Sequence, residues 1–106
     1  MAEVVWAEPA IADLDAIADY IALDNPRAAA LLVQRVFRHV EQLAQHPRSG
    51  SKLPELRGWR YRQIVEPPCR VICRAEGRRV LVLHVLRGKQ LLRRNVLASR
   101  SKRSHR

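Results

Sequence analysis

The feature that most limits how this chain can fold is the break "DNP" at residues 24–26, set between two stretches with the same helical spacing of apolar residues. Before it, Ile11, Leu14, Ile17, Ala18 and Ile21 recur at intervals of three and four, which puts them on one helical face and leaves Asp13, Asp15 and Asp19 on others. After it, Ala29, Leu32, Val33, Val36, Val40, Leu43 and Ala44 repeat the pattern as far as Pro47. Asn25 suits a helix cap and Pro26 the first turn that follows, so the second helix begins at the break. Helices joined by so short a turn fold back as an antiparallel hairpin, with both apolar stripes toward a common core.

The period then changes. Residues 47–59, "PRSGSKLPELRGW", carry two prolines, two glycines and two serines and read as a loop. "RYRQIVE" (60–66) ends at Pro67 and Pro68, "CRVICRA" (69–75) ends at "EGR", and "VLVLHVL" (80–86) is apolar on both faces, so the last should be the most buried strand. "EVVW" (3–6), ahead of Pro9, adds a strand at the start. The order β-α-α-β-β-β predicts an α+β fold of two layers, the helical hairpin packed on a small antiparallel sheet. Leu14, Ile17, Ile21, Val36, Val40, Leu43, Val82 and Val85 are the expected core, with Trp6 and Tyr20 anchoring helix to sheet and Trp59 and Tyr61 as core or rim aromatics.

At 106 residues and 47% hydrophobic, the chain has material for one core, expected over residues 1–97. The last nine residues, 98–106, lack apolar side chains other than Ala98 and read as a basic, disordered tail. No run of about 18 apolar residues suggests a membrane span, and the start "MAEVVWAEP" does not resemble a signal peptide, so a cytoplasmic protein is expected. Cys69 and Cys73 on one strand would lie roughly 13 Å apart and should be free thiols. His39, His46 and His84 are scattered without a C-x-x-C, so neither metal nor cofactor is expected.

Charge is divided along the chain. Residues 1–50 hold four basic and seven acidic side chains, net −3, whereas residues 51–106 hold 16 basic and three acidic, net +13. That imbalance concerns partners: it steers nucleic acid, acidic protein or an anionic surface toward the second half. Arg60, Arg62, Arg70, Arg74, Arg87 and Lys89 are the candidate phosphate- or partner-binding residues, and period-2 placement of such arginines is also what any half-exposed sheet shows.

Taken together, "VVWAEPAIADLDAIADYIALDNPRAA", "LAQHPRSGSKLPEL", "WRYRQIV…CRVICR" and "VLVLHVLRGK" resemble, in that order and over roughly residues 3–90, the ParE/RelE superfamily of bacterial toxin–antitoxin toxins. The resemblance implies a growth-arresting toxin neutralised by a co-expressed acidic antitoxin, here of the ribbon-helix-helix ParD-like kind, whose C-terminal segment wraps hairpin and sheet. It also implies one of two activities: RelE-like members cut mRNA on the ribosome, and ParE-like members poison DNA gyrase.

Cutting RNA by its own 2′-hydroxyl needs a base, cations for the phosphorane charge and an acid for the leaving oxygen. Arginine supplies only the cations, since it stays protonated. RelE-like enzymes pair an arginine that aligns with Arg70 with lysines, a further arginine and a Tyr or His after the last strand. Here "VLRGK" is followed by "QLLRRNVLASRSKRS", with neither Tyr nor His before His105. Lys52 lies where RelE-like lysines occur, and Arg87 stands where many ParE-like toxins have histidine. The catalytic candidates are therefore Arg70, Arg87 and His84, the last suited to proton transfer only if it faces the arginines instead of acting as a satisfied sheet histidine. The expectation is a non-catalytic gyrase inhibitor, with a ribosome-dependent endoribonuclease as the alternative and a plain RNA-binding protein third.

Overall fold

The computed structural model describes residues 1–56, 60–88, 92 and 94–104. Strand β1 (Glu3–Trp6) leads into helix α1 (Glu8–Ala22), helix α2 (Pro26–Glu41) and a 3-10 turn at Gln42–Ala44. The two-residue strand β2 (Ser51–Lys52) precedes β3 (Tyr61–Glu66), β4 (Cys69–Glu76) and β5 (Arg79–Arg87), and helix α3 (Arg94–Ser104) follows. The sheet runs in the order β1-β5-β4-β3-β2. Its pairings are antiparallel except at one edge, where β1 runs parallel to β5.

Local chemistry sets the hairpin. Pro9 sits in the first turn of α1, and the Asn25 Oδ1 accepts a hydrogen bond from the Ala28 N–H at 3.0 Å to cap α2. The stripe between them is buried as its spacing requires: Leu14, Ile17, Val36, Val40 and Leu43 meet Val80, Val82 and Val85 of β5, with Ile21 and Trp6 packed at the margin. The Trp6 and Phe37 rings lie 4.8 Å apart and tie β1 to α2. Tyr20 is different. It stands one position off the 14-17-21 stripe and is 58% exposed, so it meets the sheet at the rim, through Arg87 at the end of β5, and not within the core. Trp59 lies outside the described residues.

The loop before β3 folds back through Gly50, where an added Cβ would come within 2.8 Å of the Gln63 carbonyl oxygen; only a residue without one lets β2 approach β3 so closely. Gly77 turns β4 into β5 at φ +58, in the left-handed region that glycine enters freely.

The second face of the sheet is covered as well. Leu53, Tyr61, Ile72, Leu81, Leu83, Leu86, Leu92 and Leu97 form a separate buried cluster on that side. This explains why β5 is apolar on both faces, and it corrects the expectation of a disordered tail over residues 98–104. There α3 continues to Ser104, Leu97 is fully buried, and Ser101 is 4% exposed with its Oγ donating to the Leu97 carbonyl at 2.9 Å. A single apolar anchor, followed by a charged contact from Arg100, holds a segment whose composition reads as solvated.

Candidate functional site

Strand register sorts the arginines, because residues directly opposite one another in an antiparallel sheet share a face. Glu66, Cys69 and Arg87 face one another across β3, β4 and β5 on the hairpin side. Tyr61, Gln63 and Val65 share the other face with Arg74, Ile72 and Arg70. Arg62 alternates onto the hairpin side with Cys73. The candidate arginines therefore do not converge: Arg62 and Arg87 lie on one face, Arg70 and Arg74 on the other.

Each is also held within the fold. The Arg70 Nε donates to the Gln63 Oε1 at 2.8 Å. Arg74 pairs with Glu76 at 2.5 Å and lies 5.9 Å from the centroid of the buried Tyr61 ring. The Arg62 Nη1 donates to the Gly50 carbonyl at 3.0 Å. The Arg87 guanidinium stacks 4.4 Å above the Tyr20 ring, which is what keeps that exposed tyrosine in place. Arg60 is exposed just before β3. Lys89 lies outside the described residues.

His84 shares a face with Arg70 but is built into a buried-edge network. β1 stops pairing at Trp6 opposite Val82, so the backbone of β5 beyond that point would present open hydrogen-bonding groups. Side chains close it: the Val85 N–H donates to the Asp13 Oδ2 at 3.0 Å, and the Arg100 Nη1 donates to the Leu83 carbonyl at 3.1 Å. The same Asp13 oxygen takes the His84 Nδ1 and the Arg100 Nη1, each at 2.6 Å. Burial alone would raise the Asp13 carboxyl, but the hydrogen bonds from His84, Arg100 and the Val85 N–H outweigh it and hold the group below its ordinary 3.8. The sequence read Asp13 only as a residue off the apolar stripe and Arg100 as part of the tail.

A second histidine does meet the hairpin-side rim. The Glu66 carboxylate accepts from the Arg35 Nε at 3.2 Å and lies 3.1 Å from the His39 Nδ1, both on α2. Next to it, burial raises the Cys69 thiol while Arg87 and Arg35 pull it the other way. Tyr20, Arg87, Cys69, Glu66, Arg35 and His39 thus line one end of the sheet beneath the hairpin. Sequence reasoning missed it because 27 and 31 residues separate Glu66 from His39 and Arg35. Among the described residues no group of His, Cys, Asp and Glu is placed to hold a metal ion.

A helical hairpin over a five-stranded sheet, with cations gathered along its rims, defines a small basic α+β domain. The model of the ParE toxins of type II toxin–antitoxin systems matches residues 4–92, and the chain belongs to that family. It is 44% identical over 50 residues to Toxin RelE2 of Caulobacter vibrioides, a match spanning 47% of this chain and 57% of that relative. It is also similar to a solved structure described as the chromosomal ParDE TA system from P. aeruginosa, at 30% identity and a TM-score of 0.69, over 84% of this chain and 98% of that one.

Proposed function

We propose that this chain is the toxin of a toxin–antitoxin pair, that it arrests growth by binding DNA gyrase without cleaving RNA, and that an acidic, ParD-like antitoxin neutralises it. The observation that carries the reading is the division of the arginines between two faces, with His84 committed to Asp13 and Arg100. A ribonuclease needs cations and a proton carrier around one phosphate, and general acid–base groups typically contribute on the order of 100- to 10,000-fold each. Arg62, Arg70, Arg74 and Arg87, held as they are, suit docking to an anionic protein surface better than joint action on one phosphodiester.

A second reading, the ribosome-dependent endoribonuclease, draws support from the His39–Glu66 pair beside Arg87 and from the likeness to a relative named as a RelE toxin. The test is purified protein assayed in parallel for inhibition of gyrase supercoiling and for cleavage of mRNA on translating ribosomes by primer extension. Supercoiling inhibition without ribosomal cuts is expected. Codon-specific cuts that disappear in His39→Ala, with the supercoiling reaction untouched, would replace the gyrase reading with the nuclease.

A further inference from the structure

The helical hairpin turns its outer surface away from the sheet, and its two helices carry opposite charge there. On α1 and its C-cap, Ile11, Asp15, Asp19 and Leu23 are exposed at intervals of four and form one stripe beside the buried Ala10, Leu14 and Ile17. On α2, Arg27, Leu31, Gln34 and Arg38 form a second exposed stripe, opposite the buried Ala29, Leu32, Val36 and Val40. Asp15, Asp19, Arg27 and Arg38 form no ion pair among the described residues. Apolar surface is concentrated in the same place. Apart from Met1 and Val65, every exposed large apolar side chain among the described residues belongs to the hairpin: Ile11, Tyr20, Leu23, Leu31 and Phe37. Tyr20 and Phe37 are engaged at the margins by Arg87 and Trp6, which leaves Ile11, Leu23 and Leu31 interspersed with the charges, Leu23 being 82% exposed.

We propose that this outer face is the interface of a homodimer of the antitoxin-free toxin, two hairpins packed face to face about a two-fold axis parallel to the helices. A two-fold contact uses the same patch on both copies, so the patch must complement itself. The division of charge between α1 and α2 meets that requirement. The axis lays α1 of each copy antiparallel along α2 of the other, and helices of 15 and 16 residues match end to end. The acidic stripe of each copy then runs along the basic stripe of the other, and Ile11, Leu23 and Leu31 supply apolar contact between the charges. Other occupants fit one helix but not both. An acidic protein segment or a nucleic-acid backbone complements α2 and is repelled by Asp15 and Asp19, whereas a basic segment complements α1 and is repelled by Arg27 and Arg38. Such a dimer is compatible with either cellular target.

The test is sedimentation velocity of the full chain, purified free of any antitoxin, over a range of protein and salt concentrations. One variant carries Asp15→Lys and Asp19→Lys, a second carries Arg27→Glu and Arg38→Glu, and thermal melting checks that each folds. The native chain should dimerise, and more weakly as salt rises. Each variant alone should dimerise about tenfold or more weakly than the native chain, because like charges then oppose one another on both sides of the axis. An equimolar mixture of the two variants should recover the dimer as a heterodimer, since each acidic stripe again meets a basic one; a misfolded variant could not do this. A native chain that stays monomeric would overturn the proposal. So would a dimer that both variants retain, or a mixture that dimerises no better than the variants do alone. A monomeric native chain that binds polyglutamate, and loses it in Arg27→Glu and Arg38→Glu, would assign the face to an acidic protein partner instead.

Discussion

At the scale of single residues, Asp13 joins three elements, since its carboxylate meets His84 and the Val85 N–H of β5 and Arg100 of α3. Its carboxyl is depressed in the folded state, so the stability it contributes is present above the unfolded value near 3.8 and is lost as pH falls through the lower folded value. Urea unfolding from pH 7 to 3 should show the native chain losing stability below about pH 4 more steeply than Asp13→Asn, which at neutral pH should be weaker by on the order of 2 kcal/mol. Parallel curves for the two proteins would contradict the network. Cys73 gives a second test. Burial pushes its thiol up to about 12, and its Sγ donates to the Arg62 carbonyl at 3.6 Å. A thiol reagent at pH 8 should label Cys69 and Cys73, both buried, only as fast as the chain opens, with prompt labelling after denaturation. Immediate labelling of the native protein would show that this end of β4 is open to solvent.

At the scale of elements, two layers rest on the sheet from opposite sides, and each can be tested through one fully buried leucine. Leu43 closes the hairpin side and Leu97 fixes α3 on the other. Leu43→Ala and Leu97→Ala should each cost on the order of 2 to 5 kcal/mol in denaturant unfolding, since both leave a cavity in a packed cluster. A melting temperature unmoved by Leu97→Ala would mean that α3 does not hold the second face. Gly50→Ala should also destabilise, by about 1 to 3 kcal/mol, because its neighbour is the backbone of β3, which cannot swing aside as a flexible side chain would. The hairpin was legible because helical spacing, an Asn cap and two prolines agree with one another. The position of α3 was not. Residues 94–104 contain only Val96, Leu97 and Ala98 as apolar side chains, and local composition cannot register that Leu97 meets Leu81 and Leu83 across the chain.

At the scale of the whole molecule, an acidic first half covers one face of the sheet while a strongly basic second half supplies β3, β4, β5 and α3. An acidic antitoxin segment should therefore associate quickly and in a salt-sensitive way, its on-rate falling on the order of tenfold or more from low to physiological ionic strength in stopped-flow mixing. An association rate indifferent to salt would assign the complex to apolar contact alone. The sequence by itself determined the hairpin, the three long strands, the burial of β5 on both faces and the family, because these depend on spacing, turn residues and motifs that are local in the chain. It also determined which residues could carry charge to a partner. Only the tertiary structure decided which of them stand together. Register placed Arg62 and Arg87 on one face and Arg70 and Arg74 on the other, the early end of β1 drew Asp13, His84 and Arg100 together at an open strand edge, and the return of the chain brought Arg48 and Lys52 beside Arg60 and Arg62. A one-residue change of register would exchange the faces of a whole strand while leaving every local pattern as it was, which is why this grouping is a property of the fold.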